Sequence, residues 1–317
     1  MRSFSVPGNL LLLGEYAVLE EEGLGFAAAP DVRITGWIEE REGVSMTGRW
    51  PSGKAEWTEK DQESASLFSS VYREVSDFTG CHGLSKINGK IIIDSSAFFS
   101  EKGEKMGFGS SAAVSAAAAA VLLYLSGTPL DKAAAAAPGI ACSAHRKFQG
   151  NRGSGYDVFC SFYGGTGIFR GGKNPGWQPV HLPWLKELIL VSGKKSVSSK
   201  KSIGQYSAWK KNNPKEFHSF LTASNECVSR FAGAEDIEEA LFWFKEARRI
   251  GVNLGERIGV PAEFAPPEGL PGLVKSLGAG DELGFLLASE DNFPAGSFKG
   301  ERGILRFPVA KDGFRWI

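Results

Sequence analysis

Between Lys105 and Ala112 the sequence reads Lys-Met-Gly-Phe-Gly-Ser-Ser-Ala, and an alanine-rich apolar run follows to Leu125. Gly107 and Gly109 have no side chain to keep an anion away from the backbone N–H groups. Ser110 and Ser111 add hydroxyls at a helix start, where unpaired N–H groups and the positive end of the helix dipole favour phosphate. Gly107, Phe108, Gly109, Ser110, Ser111 and Ala112 therefore form a candidate cradle for the phosphates of a nucleotide triphosphate. The same residues also spell an ordinary capped helix, because Gly followed by Ser commonly opens one and alanine is the best helix former.

Gly107 to Ala112 formally fits the dinucleotide fingerprint Gly-x-Gly-x-x-Gly/Ala, but the context is wrong. Ser100 to Lys105 is polar and charged where a buried strand is required, and Asp131, the acid nearest the required spacing, follows Gly-Thr-Pro-Leu. The Walker pattern Gly-x4-Gly-Lys-Ser/Thr is absent. A serine-rich phosphate loop of a third type remains.

Three more stretches carry reactive types. Gly150 to Val158 is a glycine-rich turn containing Ser154 and Asp157, and Val274 to Asp281 is another containing Gly278, Ala279 and Gly280. From Ser192 to Ser202, Lys194, Lys195, Lys200 and Lys201 alternate with serines that include Ser198 and Ser199. Such a stretch is suited to anions, and it also reads as a solvated basic loop. Asp157 alone fits a turn or cap carboxylate equally well.

The elements that must position these residues follow from periodicity. Leu10 to Leu13 reads as a buried strand before a turn, with further strands at Phe26 to Ala29 and Val32 to Ile38. Glu63 to Phe78 has helical spacing, and Asn88-Gly89 marks a hairpin turn inside Ile87 to Ile93. Leu130 to Gln149 reads as a helix disturbed at Pro138-Gly139. A strand pair is expected through Tyr163 to Phe169, and Gly171 to Pro183 reads as a linker. The second half offers a strand at Leu188 to Val191, helices over Gln205 to Arg230 and Ile237 to Ile258, an apolar run at Leu283 to Ala288, and a closing strand at Ile304 to Val309. This organisation predicts two domains, 1–184 and 185–317.

Thirty-six basic and 36 acidic side chains cancel, so no net field draws nucleic acid or an anionic membrane. Four widely spaced cysteines form no Cys-x-x-Cys pair, so neither a zinc site nor a disulfide framework is indicated. The leucines after Asn9 are too few for a signal-peptide core, and Ala112 to Leu125 is too short to span a bilayer. A soluble protein of the reducing cytoplasm is expected, as a monomer or homodimer.

Taken in order, the turns resemble the motifs of the GHMP small-molecule kinases. Pro7-Gly8-Asn9-Leu10 through Gly14-Glu15-Tyr16-Ala17-Val18-Leu19 resembles the first motif, Met106 to Ala113 the ATP-binding second, and Lys275 to Gly280 the third. Within the family the likeness is closest to the phosphomevalonate kinase branch. Gly153-Ser154-Gly155-Tyr156-Asp157-Val158, leading to Tyr163-Gly164-Gly165, resembles its catalytic-aspartate segment, and Val197-Ser198-Ser199 its substrate-binding serine pair.

That resemblance implies an α+β, two-lobed fold with an N-terminal mixed α/β nucleotide-binding lobe and a C-terminal ferredoxin-like lobe. It implies ATP and Mg2+ as cofactors, Ser111 at the metal, and Asp157 and Lys105 as catalytic residues. Asn9, Ser154, Ser198, Ser199, Gly278, Ala279 and Gly280 would hold the acceptor. The acceptor implied is a small phosphorylated molecule, (R)-5-phosphomevalonate, converted to its 5-diphosphate in the mevalonate route to isoprenoids. Glu15 and Tyr16 are expected to shape the first turn. A phosphomonoester carries about −1.5 to −2 charge at neutral pH, so it attacks as an anion and calls for cations and donors more than for a base.

The chain departs from the family pattern at two places. Asn9 stands where the family has Lys or Arg, with Arg152 or a lysine from Lys194 to Lys201 as the expected substitute. Asp281 and Glu282 interrupt the third glycine turn. These departures keep two alternatives in view: a sister kinase using a hydroxyl acceptor such as mevalonate, and a non-catalytic ATP-binding homologue.

Overall fold

The computed structural model describes residues 2–80, 87–193, 199–260, 262–264, 270, 272–278, 283–288 and 303–317, the side chains of Ser199 and Lys200 excepted. In chain order the strands are β1 (Arg2–Pro7), β2 (Leu10–Leu13), β3 (Leu24–Ala28), β4 (Arg33–Glu39), β5 (Val44–Trp50), β6 (Gly53–Thr58), β7 (Gly89–Asp94), β8 (Thr166–Arg170), β9 (Gly176–Val180), β10 (Glu187–Ser192), β11 (Leu273–Ser276), β12 (Leu283–Leu287), β13 (Ile304–Pro308) and β14 (Arg315–Trp316). The helices are α1 (Leu67–Thr79), α2 (Ser110–Leu125), α3 (Leu130–Phe148), α4 (Tyr156–Tyr163), α5 (Ser199–Asn212), α6 (Pro214–Ala232) and α7 (Ile237–Ile258).

Two compact units result, each assembled from separate stretches of chain. The first comprises Met1–Leu10, Ala29–Gly165 and Ala310–Ile317, and the second Leu11–Ala28 and Thr166–Val309. The division expected near Trp184 follows chain order, whereas compactness groups β3 with β8 and β9, to which it is joined in one sheet.

The first unit is a six-stranded sheet, order β14-β1-β4-β7-β5-β6, packed with α1 to α4. β5 and β7 pair in parallel and the other neighbours antiparallel. Phe4, Val6, Ile34, Met46, Ile91, Ile92 and Ile93 are buried. α2 is the centre of this unit. Ala112, Ala113 and every residue from Ser115 to Leu123 are buried, so the helix has no solvent face, which is the pattern of an element enclosed by its neighbours. Small side chains let α1, α3 and α4 pack against it.

The second unit holds two four-stranded sheets, β2-β3-β8-β9 and β11-β12-β10-β13, with α5 to α7. In the latter the first strand, β10, lies between the third and the fourth, and all pairings are antiparallel. This is the strand order of a ferredoxin-like sheet, as expected.

Several local expectations change. Asn88-Gly89 makes no hairpin: Gly89 opens β7, and the Asn88 side chain accepts a hydrogen bond from the Gly43 N–H at 2.9 Å. α3 continues through Pro138 without ending. The expected linker contains β9, paired along its length with β8. The single helix expected over Gln205 to Arg230 is two, parted at Asn213 with Pro214 opening α6.

Candidate active site

The candidate phosphate loop runs from Gly107 into the start of α2, with Asn9, just after β1, hydrogen-bonded to it. Gly107 and Gly109 have φ of 79° and 69°, the left-handed region that glycine enters without steric cost. No side chain caps α2, and Gly109 is its N-cap residue, its carbonyl accepting from Ala112 and Ala113. Ser110 and Ser111 are half-buried, and Phe108 anchors the loop in the core at 1% exposure.

Asn9 closes the back of this loop. It is 2% exposed, its N–H donates to the Phe108 carbonyl at 3.1 Å, and its Nδ2 donates to Gly109 O at 3.3 Å and to Ser161 Oγ at 2.9 Å. An added Cβ on Gly109 would lie 2.3 Å from the Asn9 amide. Where the resemblance leads one to expect a cation, Asn9 is a buried clamp between the loop and α4.

Asp157 sits in the first turn of α4, where the helix dipole favours a carboxylate. Gly155, at φ 90°, turns the chain into that helix. One Asp157 oxygen, Oδ1, accepts from the Val158 N–H at 3.0 Å, and Oδ2 lies 3.5 Å from His145 Nδ1. His145 Nε2 in turn lies 3.0 Å from Ser111 Oγ. The imidazole, itself 1% exposed, thereby lies between Ser111 and Asp157.

Ser154 is buried, and its hydroxyl accepts from the Tyr156 N–H at 3.4 Å. Lys105 and Arg152 are exposed, Lys105 in a bridge with Phe99. Arg146 donates to the Ser154 carbonyl. Burial pushes the neighbouring Cys142 thiol up to about 11, with Arg146 pulling it down and Asp157 pushing it up. Cys142, Cys160 and Cys227 are free and buried.

His145 and Arg146 escaped the sequence reading. Their signal was basic residues in the last turn of α3, directly before the second glycine turn.

The remaining expected site residues belong to the second unit or lie outside the described residues. Ser199 opens α5 and Gly278 follows β11 at φ 74°. Ser198, Ala279, Gly280, Asp281 and Glu282, with Lys194 and Lys195, lie outside the described residues. Glu15 pairs with the buried Lys275, whose Nζ also donates to the Ser276 carbonyl at 3.0 Å. Tyr16, at φ 64°, places its ring 5.1 Å from that of Tyr206.

Among the described residues no group of three or more His, Cys, Asp or Glu could hold a metal ion unaided. Ser111 Oγ and the Asp157 carboxylate are hard oxygen donors. They suit Mg2+ arriving with a nucleotide, which typically takes only one or two protein oxygens besides phosphates and water. Among the described residues no helix is long and apolar enough to cross a membrane.

A glycine- and serine-rich loop thus feeds a buried helix beside a carboxylate at a second helix start. Residues 66–165 match the family model of the GHMP kinases N terminal domain. The fold is that of these proteins. A Lin0012 protein from Listeria innocua superposes with a TM-score of 0.79 at 22% identity, covering 99% of both chains. Streptococcus pneumoniae phosphomevalonate kinase, in complex with phosphomevalonate and AMPPNP, gives 0.71 at 18%, covering 91% of this chain and 92% of its own. Methanococcus jannaschii mevalonate kinase gives 0.64 at 15%, covering 99% and 98%. No curated protein matches the sequence.

Proposed function

We propose that the protein transfers the γ-phosphoryl group of ATP to a phosphomonoester, (R)-5-phosphomevalonate, forming the 5-diphosphate and ADP. The observation that carries this reading is Asn9. Its amide is spent inside the protein on Gly109 and Ser161, so it supplies no cation to activate a hydroxyl. An acceptor that is already an anion has no need of that activation. The likeness of Gly153 to Val158 and Val197 to Ser199 to the phosphomevalonate kinase branch supports the same choice.

In this reading Gly107 to Ala112 cradle the triphosphate, with N–H groups of the α2 start and the Ser110 and Ser111 hydroxyls toward its oxygens. Mg2+, when bound, would neutralise charge on the phosphate oxygens. Asp157 orients the acceptor, and Lys105 offers its charge to the transferring group. An acceptor phosphate oxygen bonds to the γ-phosphorus while the bond from that phosphorus to the β–γ bridging oxygen breaks, and ADP leaves with those electrons. Positioning and preorganised charge supply the rate. Ser154, Ser198, Ser199, Gly278, Ala279 and Gly280 are the residues the resemblance assigns to the acceptor.

The test is magnesium-dependent ADP release with phosphomevalonate and mevalonate offered separately. Release with phosphomevalonate alone is expected. Release with mevalonate alone would assign the protein to a hydroxyl acceptor, and ATP binding without release to either would favour a non-catalytic homologue.

A further inference from the structure

The cleft between α7 and the end of β11 encloses a donor that the fold leaves without an acceptor. Arg248, Gly251 and Leu254, on one face of α7, line it together with Lys275, Ser276 and Gly278, all within the second unit. Lys275 is neutralised there by Glu15. Arg248 is half-buried, and its Nε–H, shut off from solvent, has no hydrogen-bond partner among the described residues. Its one ion pair among them is a long one, 3.9 Å to Glu263, whose side chain is 75% exposed. A guanidinium keeps its charge at any ordinary pH. An enclosed donor without an acceptor costs free energy that a ligand can return.

Gly251 is a second and independent sign. It stands midway along α7, where glycine is less favourable than alanine. Packing does not demand it, since an added Cβ would meet nothing within 4 Å. The glycine therefore keeps space open one helical turn from Arg248. The cavity measures about 20 Å³, enough for one water-sized group, so it suits the oxygen of an anionic terminus and not a whole metabolite.

We propose that Arg248 recognises the carboxylate of the acceptor, the end away from phosphoryl transfer. The inference rests on the phosphomevalonate reading: that acceptor is charged at both ends, and its phosphate is the group that reacts. A carboxylate offers paired oxygens to the guanidinium fork, and the Nε–H is one of the donors such a pair can use. Gly278, which the resemblance assigns to the acceptor, lines the same cleft at φ 74°. Arg248 is thus an acceptor-binding cation that no motif of the sequence marks.

Steady-state kinetics with phosphomevalonate and with its carboxamide analogue, a neutral amide in place of the carboxylate, separate charge recognition from support of the fold. In the wild type the amide should raise KM about 10- to 100-fold, the usual worth of a hydrogen bond to a charged group. Arg248→Gln should raise KM for phosphomevalonate by a similar factor and abolish most of the difference between the two acceptors, with KM for ATP unmoved. Gly251→Leu fills the space and leaves the charge. It should also raise KM for phosphomevalonate, with a urea midpoint at or above that of the wild type, because leucine is the better helix former.

Equal KM values for the two acceptors in the wild type would overturn the inference, and so would undiminished discrimination against the amide in Arg248→Gln. Losses that fall equally on both acceptors and follow the unfolding midpoints would also overturn it, as the mark of a cleft that only houses a water. Wild-type protein that releases no ADP from phosphomevalonate would overturn the kinase reading itself, and this inference with it.

Discussion

Asn9 and Gly109 are fitted to one another: the Asn9 Nδ2 donates to the Gly109 carbonyl at 3.3 Å, and any side chain at position 109 would meet that amide at 2.3 Å. The candidate phosphate loop is therefore held from behind by a neutral buried group. Gly109→Ala should cost about 1–2 kcal/mol for the left-handed backbone alone, with displacement of Asn9 added to it. Denaturant unfolding should show that loss, and nucleotide affinity should fall with it.

Asn9→Lys introduces the residue type that the GHMP resemblance leads one to expect and should harm this protein. The ammonium would enter a site 2% exposed and lose the contacts to Gly109 and Ser161. A loss of about 1–3 kcal/mol is expected from the unsatisfied Ser161 and Gly109 groups. A variant as stable as the wild type, with higher turnover on mevalonate, would contradict the assignment of Asn9 as a clamp.

The ion pair of Glu15 with Lys275 is enclosed, with side-chain exposures of 13% and 4%. Glu15→Gln leaves the lysine charge buried without its partner and should destabilise the protein by about 3–5 kcal/mol. Glu15→Gln combined with Lys275→Met should recover most of that loss. Urea midpoints of the single and double variants provide the comparison.

Burial pushes the Cys142 and Cys227 thiols from an ordinary 9.0 up to about 11. The folded protein holds these protons more tightly than the unfolded chain does. Their contribution is fully present below about pH 9 and is lost as the pH rises through about 11. Buried Tyr206 is shifted upward as well and adds loss of the same sign at higher pH. Stability measured across that alkaline range should fall, and both thiols should resist alkylation at neutral pH.

The parts of the molecule legible in the sequence were those whose chemistry is local. Gly107 to Ala112 and the run to Leu125 announce a loop and a buried helix because glycine, serine and alanine each constrain the backbone in their own way. The glycine turn before Asp157 was legible too, and Gly155 leads directly into α4. The hairpin of β5 and β6 left no such trace, since Lys54, Ala55 and Glu56 are exposed and show no apolar alternation. β9, with Gly176 and Pro179, has the composition of a linker and becomes a strand through its pairing with β8.

Pro138 and Pro214 show the same limit from the other side. Both are helix punctuation, yet tertiary packing carries α3 through Pro138, while α6 begins at Pro214. His145 was illegible for a different reason. Its meaning lies in Ser111 and Asp157, and only the packing of α2, α3 and α4 brings the three together.

The central claim is that the nucleophile is a phosphate oxygen placed by Asp157, and 31P NMR of the product tests it most directly. Wild-type protein with ATP, Mg2+ and phosphomevalonate should convert the acceptor's single phosphomonoester resonance into the coupled pair of a diphosphate monoester. Asp157→Ala, tested in parallel, should slow that conversion by about 10²- to 10⁴-fold. A new phosphomonoester signal formed from mevalonate, with phosphomevalonate left unchanged, would contradict the account.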